Sequence, residues 1–235
     1  MKRFILSFLL ASVFLVNGYS NDFFSQAELF LSSNVINGRV AYRKITAEPQ
    51  QLNTLVNQIA IFDLTKATKA TLVAFMINAY NILAIKGIVD EYPVKSPMNI
   101  SGFFDKSIYN IGGKKMSLNQ LEKEQLYPLA NDPRLHFVLV CAAISCPKLA
   151  NFAYQPELLE DQLNSTTRNN LNDPEFVMVA GTKFKLSEIF SWYAADFRTN
   201  EKNVIQFIND FRDVKLNIKG SIRYYSYNWD LNDQD

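Results

Sequence analysis

The sequence predicts an α+β fold, predominantly helical, forming a single domain around a small, mainly antiparallel sheet. Three observations carry this expectation. Helical periodicities outnumber alternating ones, the two kinds of segment follow each other irregularly, and no Pro-, Gly- or Ser-rich linker or internal repeat interrupts the chain beyond residue 20. Roughly 215 residues then remain, enough for one core of ordinary size.

Residues 1–20 are expected to be a signal peptide. Lys2 and Arg3 precede a largely apolar stretch from Phe4 to Val16, and small residues follow at Gly18 and Ser20. The stretch is short for a membrane span, so residues 21–235 are expected as a periplasmic or secreted domain with no membrane attachment after cleavage. Loss of Lys2 and Arg3 turns 24 basic and 23 acidic residues into 22 and 23. Such a balance, with no run of like charge, gives no electrostatic footprint for nucleic acid.

The elements follow in order. A helix is expected over 23–32, and Asn37-Gly38 signals a turn before a short alternating strand at 39–45. Residues 51–61 place Leu52, Leu55, Val56 and Ile59 on one helical face. The longest helical pattern, 67–89, is apolar nearly all round, which predicts a buried helix. Asn78 and Asn81 lie one turn apart within it, next to Tyr80. Buried amides need partners, so these residues either tie the helix to adjoining loops or face a ligand pocket.

Tyr92-Pro93 ends that helix, and residues 105–111 form one arm of a hairpin turning at Gly112-Gly113. SLNQ (117–120) is a capping box opening a helix that carries Glu122 toward its apolar face. The run 135–142 is continuously apolar apart from His136 and reads as a central strand covered on both sides. Later come a helix over 157–170, two strands around Gly181, an aromatic-rich helix over 186–197, a helix over 203–211, and a closing strand over 222–229.

Residues 132–147 hold the single histidine and both cysteines. A thiolate and an imidazole are the usual partners in nucleophilic catalysis, so Cys141 as nucleophile, His136 as base and Glu122 as orienting carboxylate form the candidate catalytic set. On a straight strand His136 and Cys141 point to opposite faces, which disfavours a direct dyad. The same strand would hold Cys141 and Cys146 too far apart to bond, favouring a buried or functional thiol at Cys141, whereas a turn would permit the bridge. Arg134, next to Asp132, is a candidate for holding an anionic ligand. The histidine and cysteines match no zinc spacing, and no phosphate loop, serine elbow or dinucleotide fingerprint is present, so neither metal nor cofactor is expected.

Six blocks in order, FMINAYN (75–81), SLNQLE (117–122), DPRLHF (132–137), LVCAAISCP (139–147), WYAADF (192–197) and YNWDLN (227–232), resemble the DUF547 family, a domain of unknown function. The resemblance covers residues 37–232. It implies an exported bacterial protein whose domain also occurs in plant and animal proteins with other modules attached, and it brings no substrate. The family pattern has tryptophan where Met76 stands, histidine where Lys123 stands and arginine where Tyr127 stands; plant members keep the cysteine matching Cys141 but not the counterparts of Cys146 and His136. The expected function is binding of a small molecule or peptide in a polar pocket formed by Asn78, Tyr80, Asn81, Glu122, Arg134, His136 and Cys141. The alternative is a Cys-dependent hydrolase or acyl transferase acting on a peptide or cell-wall fragment.

Overall fold

The computed structural model describes residues 9–197 and 203–234, with side chains from residue 22. Part of the expected leader, residues 1–8, lies outside the described residues. The first helix, α1 (Leu9–Asn34), packs on α3 (Gln50–Ile61) and α4 (Lys69–Glu91). Between them come β1 (Val35–Ile36), β2 (Arg39–Val40) and α2 (Tyr42–Ala47). β1 and β2 pair antiparallel across Asn37 and Gly38, both at positive φ, which is the turn geometry their residue types favour. The strand expected over 39–45 stops at Val40. Tyr42 and Ile45, which fit an alternating pattern poorly and a helical one well, are both buried faces of α2.

α4 is long and apolar enough to cross a bilayer, yet 89% of its most apolar window is buried inside the protein. Its Thr68 cap accepts from the Thr71 N–H, as the capping rule requires. The helix is buried from Val73 through Ile85, with Asn78 fully enclosed. Both of its asparagines hold backbone. Asn78 donates to the Tyr154 carbonyl at 2.8 Å and accepts from the Tyr154 N–H at 2.9 Å. Asn81 donates to the Val138 carbonyl at 2.8 Å and accepts from the Val140 N–H at 2.9 Å.

β3 (Tyr109–Ile111) and β4 (Lys114–Met116) form the expected hairpin, with Gly112 and Gly113 at positive φ. Ser117 and Gln120 close the capping box, opening α5 (Leu118–Gln120). The helix then widens to a π-helical stretch at Leu121–Leu126 and finishes as α6 (Tyr127–Ala130). Pro128 has no N–H to give, and the Tyr127 N–H reaches back five residues to the Glu122 carbonyl.

The central strand expected over 135–142 does not form. Asp132 caps a 3₁₀ turn, Pro133–Phe137, by accepting from the Arg134 N–H, with Pro133 occupying the position where a missing donor costs least. The segment after it is buried between helices. Its backbone polar groups are satisfied by Asn81 where a strand would use sheet neighbours.

After α7 (Leu159–Asn172), β5 (Val177–Ala180), β6 (Lys183–Ser187) and β7 (Ser221–Tyr225) form a three-stranded sheet. β5 and β6 are antiparallel, while β7 adds parallel to β6 with Phe184 opposite Ile222. The mainly helical α+β expectation therefore holds, with small and mainly antiparallel sheets. Two shorter elements depart from expectation. The helix foreseen over 186–197 is reduced to α8 (Ile189–Trp192), because β6 extends through Ser187. The closing strand ends at Tyr225, because the following backbone turns away to bond Glu188 and the 144–145 segment. α9 (Val204–Phe211) forms under its own capping box.

Two hydrophobic clusters result. The larger surrounds α4, and the smaller, rich in phenylalanine, lies beneath the three-stranded sheet. The 3₁₀ turn straddles them, with Leu135 in the first and Phe137 in the second. Removing the Asn81 amide strands a buried carbonyl and a buried N–H in the segment that follows this turn. Asn81→Ala is therefore expected to lower unfolding free energy by about 2–4 kcal/mol, measured by urea denaturation followed by circular dichroism.

Candidate functional site

A cavity of about 170 Å³ opens where the two clusters meet. Four of the residues singled out from sequence converge on it: Tyr80 from α4, Glu122 from the π-helical stretch, His136 from the 3₁₀ turn, and Cys141 just beyond. The other three do not line it. Asn78 and Asn81 are taken up by the backbone bonds described above. The Arg134 guanidinium is held by Asp132, by Glu160 Oε2 at 2.9 Å and by Asn164 Oδ1 at 2.8 Å, outside the cavity.

The floor of the cavity is a disulfide. Cys141 and Cys146 are bonded, with Cα atoms 6.2 Å apart across a turn. The free thiol favoured by the strand reading is absent because the strand is absent: Ala142, at φ 60°, reverses the chain directly after Cys141. An alanine in this left-handed region costs about 1–2 kcal/mol, so surrounding contacts must hold it. Those contacts come from the C-terminal segment. The Asn232 N–H donates to the Ala142 carbonyl at 3.1 Å, and the Ile144 and Ser145 N–H groups donate to Asp230 and Asn228 carbonyls at 2.8 and 3.1 Å.

The same segment supplies the wall. Tyr227 and Trp229, two residues apart on an extended run, both face the cavity. Trp192 from α8 completes a cluster in which its ring lies 4.9 Å from Tyr227 and 6.1 Å from Trp229. Phe104 closes the far side against Trp229 at 6.4 Å. Trp192, Tyr227 and Trp229 belong to the family-like blocks and Phe104 does not, and nothing in their own spacing assigns them to a site. The i, i+2 pairing of Tyr227 and Trp229 was the available signal, obscured while both were read as a continuing sheet strand.

The Tyr227 hydroxyl lies 3.1 Å from both sulfurs and is the donor toward them, since neither disulfide sulfur carries a proton. Burial pushes this phenol far above its ordinary range, so it remains a proton donor. The backbone N–H of Cys141 also donates to Cys146 Sγ, at 3.0 Å. Tyr80 hydrogen-bonds to Glu122, whose carboxyl is nevertheless raised above its ordinary value because desolvation outweighs that bond and the nearby Lys123. Glu122 is thus a carboxyl that holds its proton unusually late.

His136 is turned elsewhere. Its Nε2 lies 2.9 Å from Asp196 Oδ2 and also against the Tyr127 hydroxyl, with the Tyr193 ring 4.1 Å away. A carboxylate at Nε2 selects the tautomer carrying its proton there. Desolvation lowers the imidazole's affinity for a second proton despite Asp196, so the ring is neutral at pH 7. The direct thiol–imidazole pair is not formed: Cys141 Sγ is bonded to Cys146 and His136 Nε2 faces Asp196. Among the described residues, no group of three His, Cys, Asp or Glu side chains is placed to hold a metal ion.

The raised Glu122 carboxyl has a signed consequence for stability. Between its ordinary value of 4.5 and its raised folded value, the folded state holds a proton that the unfolded state has lost, so stability falls as pH rises through that window. Lowered His136 acts in the opposite sense, removing stability as pH falls below 6.5. Glu122→Gln removes only the first effect. Urea melts from pH 4 to 8 are expected to show the variant gaining on wild type as pH rises, with the histidine slope common to both.

No curated protein and no solved structure matches this chain. Residues 64–171 match the family model described as "Protein of unknown function, DUF547". This match runs from the entry to α4 through the π-helical stretch, the 3₁₀ turn and the disulfide to the end of α7, and it supports the DUF547 resemblance for the part of the chain that builds the cavity floor.

Proposed function

We propose that the protein is a binding domain that takes a small molecule or a peptide side chain into the cavity above the disulfide. One observation carries this reading: a carboxyl that burial makes harder to ionise, a buried phenol and an aromatic wall converge on one concave site. An apolar surface with a few placed polar groups is the usual makeup of a ligand site. The size narrows the ligand. Sites that enclose drug-sized molecules begin at about 300 Å³, so this cavity suits one side chain or a compact molecule. The acyl-transfer alternative loses its nucleophile to the disulfide, and no observation favours it.

We further place the protein in the periplasm or outside the cell. The support is the leader-like pattern of residues 1–20 together with the disulfide, since such bonds persist in oxidising compartments.

The chain has two tryptophans, and both line the cavity, so intrinsic tryptophan emission reports on this site alone. Titration with a library of short peptides is expected to give a saturable change in emission for some members. Trp192→Ala, at a position already 49% exposed, is expected to keep the fold and weaken that binding about tenfold or more, read from Trp229. Absence of any saturable response, or unchanged affinity in Trp192→Ala, would sink the proposal.

A further inference from the structure

The disulfide lines the cavity, which is unusual for a bond whose only task is to staple. As a staple it is also poorly placed. It closes a loop between cysteines five residues apart, where the entropic gain of a crosslink is smallest, and the backbone of that loop is already held by residues 228–232. Its two sulfurs stand in different surroundings. Cys141 is partly exposed to the cavity, while Cys146 is 6% exposed and its Sγ alone accepts from the Cys141 N–H; the Tyr227 hydroxyl stands 3.1 Å from both sulfurs and is within reach of either. A neutral disulfide sulfur gains little from two donors; a thiolate gains much more, because a charged acceptor strengthens each bond.

We propose that Cys141–Cys146 is a thiol–disulfide exchange site for a small or peptidic dithiol, with Cys141 the attacked sulfur and Cys146 the leaving thiolate. The proposal rests on the cavity being a ligand site and names the chemistry of the ligand. A thiolate of the entering dithiol attacks Cys141 Sγ; a new sulfur–sulfur bond forms to Cys141, the Cys141–Cys146 bond breaks, and the electron pair passes to Cys146. The second thiol of the same molecule, deprotonated, then attacks its own first sulfur in the mixed disulfide. The dithiol leaves as a disulfide, oxidised by two electrons, and Cys141 leaves as a thiolate. The two protons given up by the dithiol end on Cys141 and Cys146. Exchange is faster when the leaving thiolate is better stabilised; the Cys141 N–H is fixed at the sulfur that leaves, and the Tyr227 hydroxyl, 3.1 Å from it, can donate there once charge develops.

The test uses the oxidised protein with dithiothreitol as the dithiol probe at pH 7, thiols being counted by maleimide labelling and mass spectrometry. The bond is expected to open at least as fast in the folded protein as in guanidinium. Brief exposure to glutathione, followed by labelling and peptide mapping, is expected to place glutathione on Cys141 and maleimide on Cys146. Tyr227→Phe, checked for fold by circular dichroism, is expected to slow opening about tenfold in the folded state and leave the rate in guanidinium unchanged. Slower opening in the folded protein than in guanidinium, glutathione on Cys146, or a folded Tyr227→Phe that opens at the wild-type rate overturns the assignment. The mapping needs no variant, so it decides the point even where Tyr227→Phe fails to fold. A Cys141→Ser, Cys146→Ser double variant in the peptide titration separates the two readings: retained binding there, with a disulfide that resists opening in the wild type, leaves the binding domain standing and removes the exchange chemistry.

Discussion

The fold depends on a helix that has no wet side. From Val73 to Ile85 α4 is buried around its whole circumference, so a polar group placed there must find its partners in protein. Asn78 and Asn81 meet that demand by bonding peptide groups of two irregular segments, at Tyr154 and at Val138 and Val140. Those segments have no sheet to belong to. Side-chain amides serve in place of a ladder, and the chain between them, which carries both cysteines, is fixed against the most rigid element of the molecule.

From that anchor the cavity follows as a seam. The cluster around α4 and the phenylalanine-rich cluster beneath the three-stranded sheet meet at the 3₁₀ turn, where Leu135 and Phe137 point into different cores and His136 lies between them. A seam between two packed bodies is where complementary filling is hardest, and polar groups collect there: Tyr80 with Glu122, and His136 with Asp196 and Tyr127. The electrostatics have one direction throughout. Burial raises the phenols and Glu122 and lowers His136, in each case disfavouring the charged form, so the site leans toward uncharged forms of these side chains.

Much of this was legible in the sequence because it is local. The capping box at Ser117, the paired positive-φ turns at 37–38 and 112–113, and the buried character of α4 each follow from a few neighbouring residues. What was misread was decided over distance. Residues 135–142 carry the composition of a buried strand, and only Asn81, some sixty positions earlier, meets backbone groups that a sheet partner would otherwise bond. That one substitution of helix for sheet explains two errors at once: the expected separation of His136 and Cys141 onto opposite faces, and the preference for a free thiol over the bridge. Glu122, His136, Cys141 and Tyr80 line one cavity, and the aromatic wall from residues 192–229 requires the tertiary fold.

The C-terminal segment has a consequence for the order of assembly. Residues 227–232 hold the turn at Ala142, and Asn232 also reaches the beginning of the fold, where its carboxamide accepts from the Tyr42 hydroxyl at 2.9 Å and its carbonyl accepts from the Val40 N–H at 2.9 Å. The last stretch of chain thus buckles the first hairpin to the cysteine loop. During synthesis, helices α1 to α7 emerge and can associate while the cysteines still lack their lid. Tyr227 and Trp229 of the aromatic wall, the hydrogen bond from Tyr227 to sulfur and the restraint on Ala142 all come from this one segment. The site is therefore complete only once the chain has closed upon itself.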